Sequence, residues 1–191
     1  MATLRTRESV TPAFATGDSE LGGLAVAAAG DVVIGVSFGN RSVQAAETAL
    51  RRKLDQYWPL PSDAAQASDD DFDLAEEVLD LLQRFAAGEP VDLKKVPIAV
   101  DHLSPFQQKV VKACRAIKRG ATLSYGEVAA QAGSSGAARA VGSVMRSNRT
   151  PLIVPCHRVV AAGGRIGGFS APDGLVMKRR LLELEADVQF R

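Results

Sequence analysis

At 191 residues, 46% of them hydrophobic and 24% charged, the chain has the composition of a globular protein of one or two domains, which excludes a disordered or fibrous class. No apolar run reaches the ~18 residues that a membrane-spanning helix needs, and Met1-Ala2-Thr3-Leu4-Arg5-Thr6-Arg7-Glu8 lacks the apolar core of a signal peptide. The formal net charge of +1 hides an asymmetry: residues 1–103 hold nine Lys and Arg against seventeen Asp and Glu, net −8, and residues 104–191 hold fourteen against five, net +9. A basic second half fits a polyanion such as nucleic acid; equally, two oppositely charged halves can attract each other. Two cysteines, Cys114 and Cys156, are too few for a disulfide framework or a four-cysteine zinc site. Only His102 and His157 could add ligands, so a reduced, cytoplasmic protein with no metal and no cofactor is expected.

Residues 1–20 read as a flexible tail. Two strands follow, over 24–29 and 32–38, joined by Gly30-Asp31, a glycine-first pair that suits a type II′ hairpin turn. Ser42 can cap a helix over 43–57 with Ala46, Leu50 and Leu54 on one face. Residues 60–71 form a polar linker whose acidic end favours the N-terminus of a helix over 72–87. That helix is expected to turn Leu74, Val78, Leu81, Leu82 and Phe85 inward and to stop at Gly88. Residues 21–88 thus make a small α/β domain without a catalytic constellation, and 89–103, with Pro90 and Pro97, make a connector.

The second domain, 104–191, opens on Ser104-Pro105-Phe106-Gln107, which combines an N-cap, a proline at the first helical position and a glutamine three residues after the cap. Phe106, Val110, Cys114 and Ile117 recur at helical spacing, which makes Cys114 an inert core residue. Ser124-Tyr125-Gly126-Glu127 is a second capping box, starting a helix through Ala132. After the turn Gly133-Ser134-Ser135-Gly136 comes a helix from Ala137 to Ser147. Two short helices around a glycine turn are a helix-turn-helix candidate. The second presents Arg139 and Arg146 among small residues such as Ala138 and Gly142, so it can lie close against a phosphate backbone.

Leu152-Ile153-Val154 reads as a short buried strand leading into Pro155-Cys156-His157-Arg158-Val159-Val160. A thiol beside an imidazole and a guanidinium is biased toward thiolate, the nucleophilic form. Successive side chains of an extended chain point to opposite sides, so contact between Cys156 and His157 requires an irregular backbone or a bridging water. The glycine-rich run from Ala161 to Ser170 suits a loop that packs against a flat ligand, or a plain hairpin. A last helix over 175–186 should bury Leu175, Leu181, Leu182 and Leu184. Glu185 at its end is either a solvated charge or the group that orients His157.

The block Pro155–Val160, with Ala138-Arg139-Ala140-Val141-Gly142 and Asn148 ahead of it, resembles the O6-alkylguanine-DNA alkyltransferases, or methylated-DNA–protein-cysteine methyltransferases. Thr122-Leu123-Ser124-Tyr125-Gly126 and Gly168-Phe169-Ser170 extend the resemblance, which is dense from Ser104 to Glu185. In the first half only the order of elements and Phe85-Ala86-Ala87-Gly88 carry it, loosely.

The resemblance implies a mixed α+β and α/β chain: a small ribonuclease H-like α/β domain and a mostly helical domain with a helix-turn-helix. It implies a monomer that meets double-stranded DNA in the minor groove, with no membrane role, and flips the damaged nucleotide out of the stack. Arg139 then fills the gap and Tyr125 helps rotate the nucleotide, with Ala138 and Arg146 at the DNA surface. The flipped guanine lies near Met145, Val159, Phe169 and Ser170. Cys156 takes the alkyl group once and irreversibly, activated through a water, His157 and Glu185, while Tyr125 protonates the base and Asn148 braces the turn. O4-alkylthymine is a second candidate substrate. Phe169 stands where some relatives have Tyr, and Ala171-Pro172-Asp173-Gly174 is longer than in some of them. Some animal members hold zinc in the N-terminal half through Cys and His. With no cysteine there and only His102, none is expected here.

Three other readings compete. A damage sensor would keep this fold without the nucleophile, but Cys156 is present. A regulator binding undamaged sites leaves the Cys-His pair unexplained, and a thiol hydrolase lacks a separate His and Asn or Asp.

Overall fold

A computed structural model describes residues 10–58 and 64–186. The chain divides into two units, one of residues up to Ala87 together with Val96–Ala99, the other of Gly88–Lys95 together with Val100 onward. The elements are mixed α and β, with two small sheets and six α-helices among the described residues.

In the first unit β1 (Ala13–Gly17), β2 (Gly23–Ala29) and β3 (Val32–Asn40) form an antiparallel meander. Every residue of β2 is buried. Ala25, Ala27 and Ala29 meet Ile34 of β3 and Ala46, Leu50 and Leu54 of α1 (Val43–Tyr57) in one cluster, while α2 (Asp69–Ala86) packs on β1 and β2. A strand so rich in alanine lets helices approach closely, and closely packed apolar surface is the main stabilising term.

Several expectations need correction here. The stretch read as a tail contains β1, whose small residues carry no strong alternation and which is held by pairing with β2 from Ala13↔Ala28 to Gly17↔Leu24; residues 1–9 lie outside the described ones. The hairpin turn has positive φ at both Gly30 and Asp31, 57° and 64°, which is type I′ rather than II′. Asp31 tolerates this conformation and its N–H donates to Asp71 Oδ1. Asp71 also accepts from the Ser68 N–H, closing a capping box that starts α2 at Asp69, three residues before the expected 72. Leu74 and Leu81 of α2 are only half-buried, and Ala75 takes a core position. The connector is not a plain linker: the Val33 N–H donates to Pro97 O and the Ala99 N–H to Val33 O, tying Val96–Ala99 to β3. Of the polar linker expected at 60–71, residues 60–63 fall outside the described residues.

The second unit begins with α3 (Pro105–Ala116), capped by Ser104 and Gln107 in a reciprocal box. The same device, Ser124 with Glu127, starts α4 (Tyr125–Gln131). Gly133 and Gly136, at φ 80° and 91°, turn the chain into α5 (Ala138–Arg146). Strands β4 (Leu123–Ser124) and β5 (Val159–Val160) pair in parallel, which fixes the start of α4 beside the chain that follows Cys156. Leu152–Val154 is not a strand. Leu152 has φ 73° inside a turn bridged by Pro151 and Val154, and its side chain is buried without extended backbone. The final helix, α6 (Leu175–Ala186), buries Met177, Lys178, Leu181 and Glu185. Leu175 is 47% exposed, and Leu182 and Leu184 are half-buried. No helix among the described residues is long and apolar enough to cross a membrane.

Candidate active site

Cys156 opens a single 3-10 turn, Cys156–Arg158, rather than lying in extended chain. Pro155, at φ −77° and ψ 66°, bends the backbone so that Cys156, His157 and Arg158 all turn inward, and all three are buried. Asn148 spans the preceding turn: its Nδ2 donates to Val154 O at 2.9 Å and its Oδ1 accepts from Thr150 N–H at 3.1 Å. That clamp sets the position from which Cys156 leaves.

A cavity of about 420 Å³ opens over Cys156. Tyr125, the first residue of α4, forms one wall; Arg139, Met145 and Arg146 of α5 form another; Phe169 and Ser170 of the glycine-rich loop form a third. Met145 is buried, both arginines are exposed, and Tyr125 and Phe169 are half-buried. The cavity is therefore apolar and aromatic at depth and cationic at the rim. Tyr125 Oη faces the Gly168 carbonyl at 3.5 Å, the long limit of a hydrogen bond. Gly167 has φ 70°, and a Cβ there would come within 3.3 Å of the Tyr125 ring, so glycine lets the loop lie against the tyrosine. One residue expected at the pocket lies outside its lining, Val159, which is fully buried in β5; Ala138, expected at the DNA surface, sits half-buried at the start of α5.

Behind the cysteine lies a buried polar network. Nε2 of His157 is 2.8 Å from Glu185 Oε1, with both side chains fully buried. This decides between the two readings of Glu185: it is not a solvated charge. Arg158 Nε donates to both carboxylate oxygens, its Nη2 to Oε1 at 2.8 Å and its Nη1 to Ile117 O at 2.6 Å. The Gly120 N–H completes the carboxylate's shell at 3.2 Å. Burial by itself raises the Glu185 carboxyl, but the hydrogen bonds from His157 and Arg158 and the guanidinium charge hold it down to about 2. Burial pushes His157 below its ordinary value against the pull of Glu185, so the imidazole is neutral at pH 7 and can accept a proton.

The thiol itself departs from the expectation of a thiolate. Burial pushes Cys156 up; the opposing influences are a hydrogen bond from Asn148, the charge of Lys178 and hydrogen bonds from the backbone N–H groups of Cys156 and His157, and not the adjacent guanidinium, which Glu185 occupies. Lys178 is fully buried on α6, donates to Val159 O and at 3.4 Å to Gly168 O, and lies 5.9 Å and 5.8 Å from the Tyr125 and Phe169 ring centres. Sequence reasoning assigns Arg158 to the thiol, whereas the structure pairs it with Glu185, and it misses Lys178. A signal was there: Lys178 and Glu185 share the inward stripe with Met177 and Leu181, where a charge needs a partner. Cys114 is buried with its thiol raised well above the usual range by burial, which is the inert state expected of it.

A sequence profile of the family described as "6-O-methylguanine DNA methyltransferase, DNA binding domain" matches residues 105–187. The methylated-DNA–protein-cysteine methyltransferase of Mycobacterium tuberculosis is 45% identical over 108 residues, 56% of this chain and 62% of that protein. The one from Methanopyrus kandleri is 43% identical over 110 residues, 58% of this chain and 79% of its own length. The match thus spans about three-fifths of the mycobacterial relative. Among solved structures, Mycobacterium tuberculosis OGT in complex with DNA is 33% identical, covers 91% of this chain and 92% of its own, and superposes with a TM-score of 0.66. The O6-methylguanine-DNA methyltransferase of Pyrococcus kodakaraensis is 27% identical, covers 92% and 99%, and has a TM-score of 0.64. In sequence and in fold, the chain belongs to the methylated-DNA–protein-cysteine methyltransferases.

Proposed function

We propose that this protein repairs DNA by direct reversal, transferring the alkyl group of O6-alkylguanine to Cys156 in a single irreversible turnover. One observation carries the reading: a cysteine 6% exposed lies against a cavity rimmed by two arginines and is backed by a buried His157–Glu185 pair. Double-stranded DNA is the partner, met by a monomer in the cytoplasm. Helices α4 and α5 act as the helix-turn-helix, with the small residues of α5 entering the minor groove, and the first unit is a ribonuclease H-like scaffold. Arg139 fills the space of the flipped nucleotide, Arg146 and Ala138 lie along the backbone, and Tyr125 helps the rotation. The base packs on Met145 and Phe169, with Val159 behind the nucleophile.

In the chemical step the Cys156 Sγ–carbon bond forms as the carbon–O6 bond breaks. The thiol proton passes through a water to His157, whose Nε2 is tied to Glu185, so the transfer runs through Nδ1. The guanine leaves neutral, taking a proton from Tyr125 at its ring while Ser170 and its loop amides hydrogen-bond the oxygen. Burial raises Tyr125, as does the Cys156 charge, so the phenol is protonated at pH 7.

The test is the intact mass of the protein after incubation with a duplex holding one O6-methylguanine. A single gain of about 14 Da on the Cys156 peptide is expected, never repeated, because the thioether is not cleaved. Cys156→Ala should show no gain yet still bind the duplex, whereas transfer by that variant would overturn the reading. Arg139→Ala should slow reaction with the duplex far more than with free O6-benzylguanine. Losing help with unstacking costs a few kcal/mol, on the order of a hundredfold in rate. Equal losses with both substrates would remove Arg139 from that role.

A further inference from the structure

The second unit holds another cavity, of about 360 Å³, whose lining shares no residue with the cavity over Cys156. It is formed by the segment 90–94, the C-terminal end of α3 with the residues just after it, and the turn that delivers Cys156, with Leu152, Ile153 and Pro155 as an apolar wall. Its polar lining is one-sided: Lys94, Arg115, Lys118, Arg119 and Arg158 face the single carboxylate Asp92. Counting also Glu89, whose carbonyl accepts from Arg119, and Glu185 behind Arg158, five cations meet three carboxylates.

The guanidiniums are fixed before any ligand arrives. Arg115 Nη2 donates to Leu93 O at 3.2 Å and Lys94 O at 2.6 Å. Arg119 donates to the carbonyls of Glu89, Gly88 and Leu184 at 3.0–3.2 Å. Carbonyl partners leave a positive charge in place; Asp92 acts on Arg115 and Glu185 on Arg119, so the field is that of five cations against three carboxylates. Burial pulls both guanidiniums down from their usual range, a cost that a bound anion would offset. Lys94 and Lys118 are exposed, so their ammonium groups are free to close on a ligand. A concave, partly apolar site with excess positive charge concentrates anions, and fixed donors lower the entropic cost of holding one.

We propose that this cavity is a phosphate-binding site, separate from the face that meets the damaged base. Lys94 and Lys118 clamp the phosphate oxygens, and Arg115 and Arg119 supply the standing field. The phosphate comes either from a small free anion, such as a nucleotide, or from a stretch of nucleic-acid backbone. The site does not depend on alkyl transfer.

Titration calorimetry of the full chain with pyrophosphate at low ionic strength tests it. One saturable site is expected, with Kd weakened at least ~tenfold by Lys94→Glu/Lys118→Glu and unchanged by Arg139→Ala/Arg146→Ala. Absence of saturable binding, or an equal loss in the α5 pair, would overturn the proposal. Both lysines are exposed, so the double variant should melt as wild type does and keep reacting with free O6-benzylguanine. The Lys94→Gln/Lys118→Gln pair checks the same loss without reversed charge. Repeating the titration with saturating undamaged duplex separates the sources: displaced pyrophosphate assigns the phosphate to nucleic acid, retained pyrophosphate to a small anion.

Discussion

Glu185→Gln should cost about 3–5 kcal/mol of stability, because it leaves the Arg158 guanidinium buried without a counter-ion. For a chain of this size that is a fall in melting temperature on the order of 10 °C. The same change should slow alkyl transfer on the order of a hundredfold at temperatures where the variant is folded. A neutral amide still hydrogen-bonds His157 but no longer stabilises the imidazolium that forms when the thiol proton is taken. Wild-type melting together with wild-type transfer would show that the network holds neither the fold nor the reaction.

The pH dependence of stability has a definite sign. Glu185 is held at about 2 in the folded protein against an ordinary value of 4.5, so its contribution is complete above pH 4.5 and is lost as pH falls toward 2. The difference corresponds to about 3 kcal/mol. His157 adds to the loss from the other side: its folded pKa is depressed below 6.5 by burial, so the unfolded chain takes up a proton first as pH falls through 6.5. Urea midpoints should therefore decline from just below pH 6.5 and more steeply below 4.5, and the steeper part should be flatter in Glu185→Gln.

Lys178→Met should lower the rate of alkyl transfer at pH 7 by ~tenfold or more and move the rate profile to higher pH. The lysine charge is one of the influences that opposes the burial of Cys156, and each unit of rise in a thiol pKa is about a tenfold loss of thiolate at fixed pH. The amine also bridges Val159 O and Gly168 O, so its loss frees the loop that carries Phe169 and Ser170. These effects are separable: loosening the loop lowers the rate at every pH, whereas removing the charge shifts the midpoint. An unchanged midpoint would leave Lys178 with a loop-holding role alone. Arginine should not restore the activity, since a planar guanidinium does not fit the position of a compact ammonium.

Local signals in the sequence were legible where one residue type does one local job. Ser42, Ser104 and Ser124 cap the helices they were expected to cap, because a side-chain oxygen three residues ahead of an N–H is a purely local arrangement. The span of α6 was equally plain. Legibility failed where the decision was made across the chain. β1 has no marked alternation and exists because β2 offers it a pairing edge. Leu152–Val154 is apolar and β-branched enough to read as a strand, yet Asn148 and Thr150 hold it in a turn with Leu152 at φ 73°.

The nucleophile shows the same division. By itself the sequence determined that Cys156 is followed by His157 and Arg158 after a proline, that helices of known span flank it, and that a glycine-rich loop comes next. Which charges act on the thiol was decided only by the tertiary structure. Arg158, next but one in sequence, is spent on Glu185, twenty-seven residues away, while Lys178, from a helix outside the motif, supplies the cation that acts on Cys156. Electrostatic influence follows distance through space and burial, not spacing along the chain, and both are properties of the packed fold.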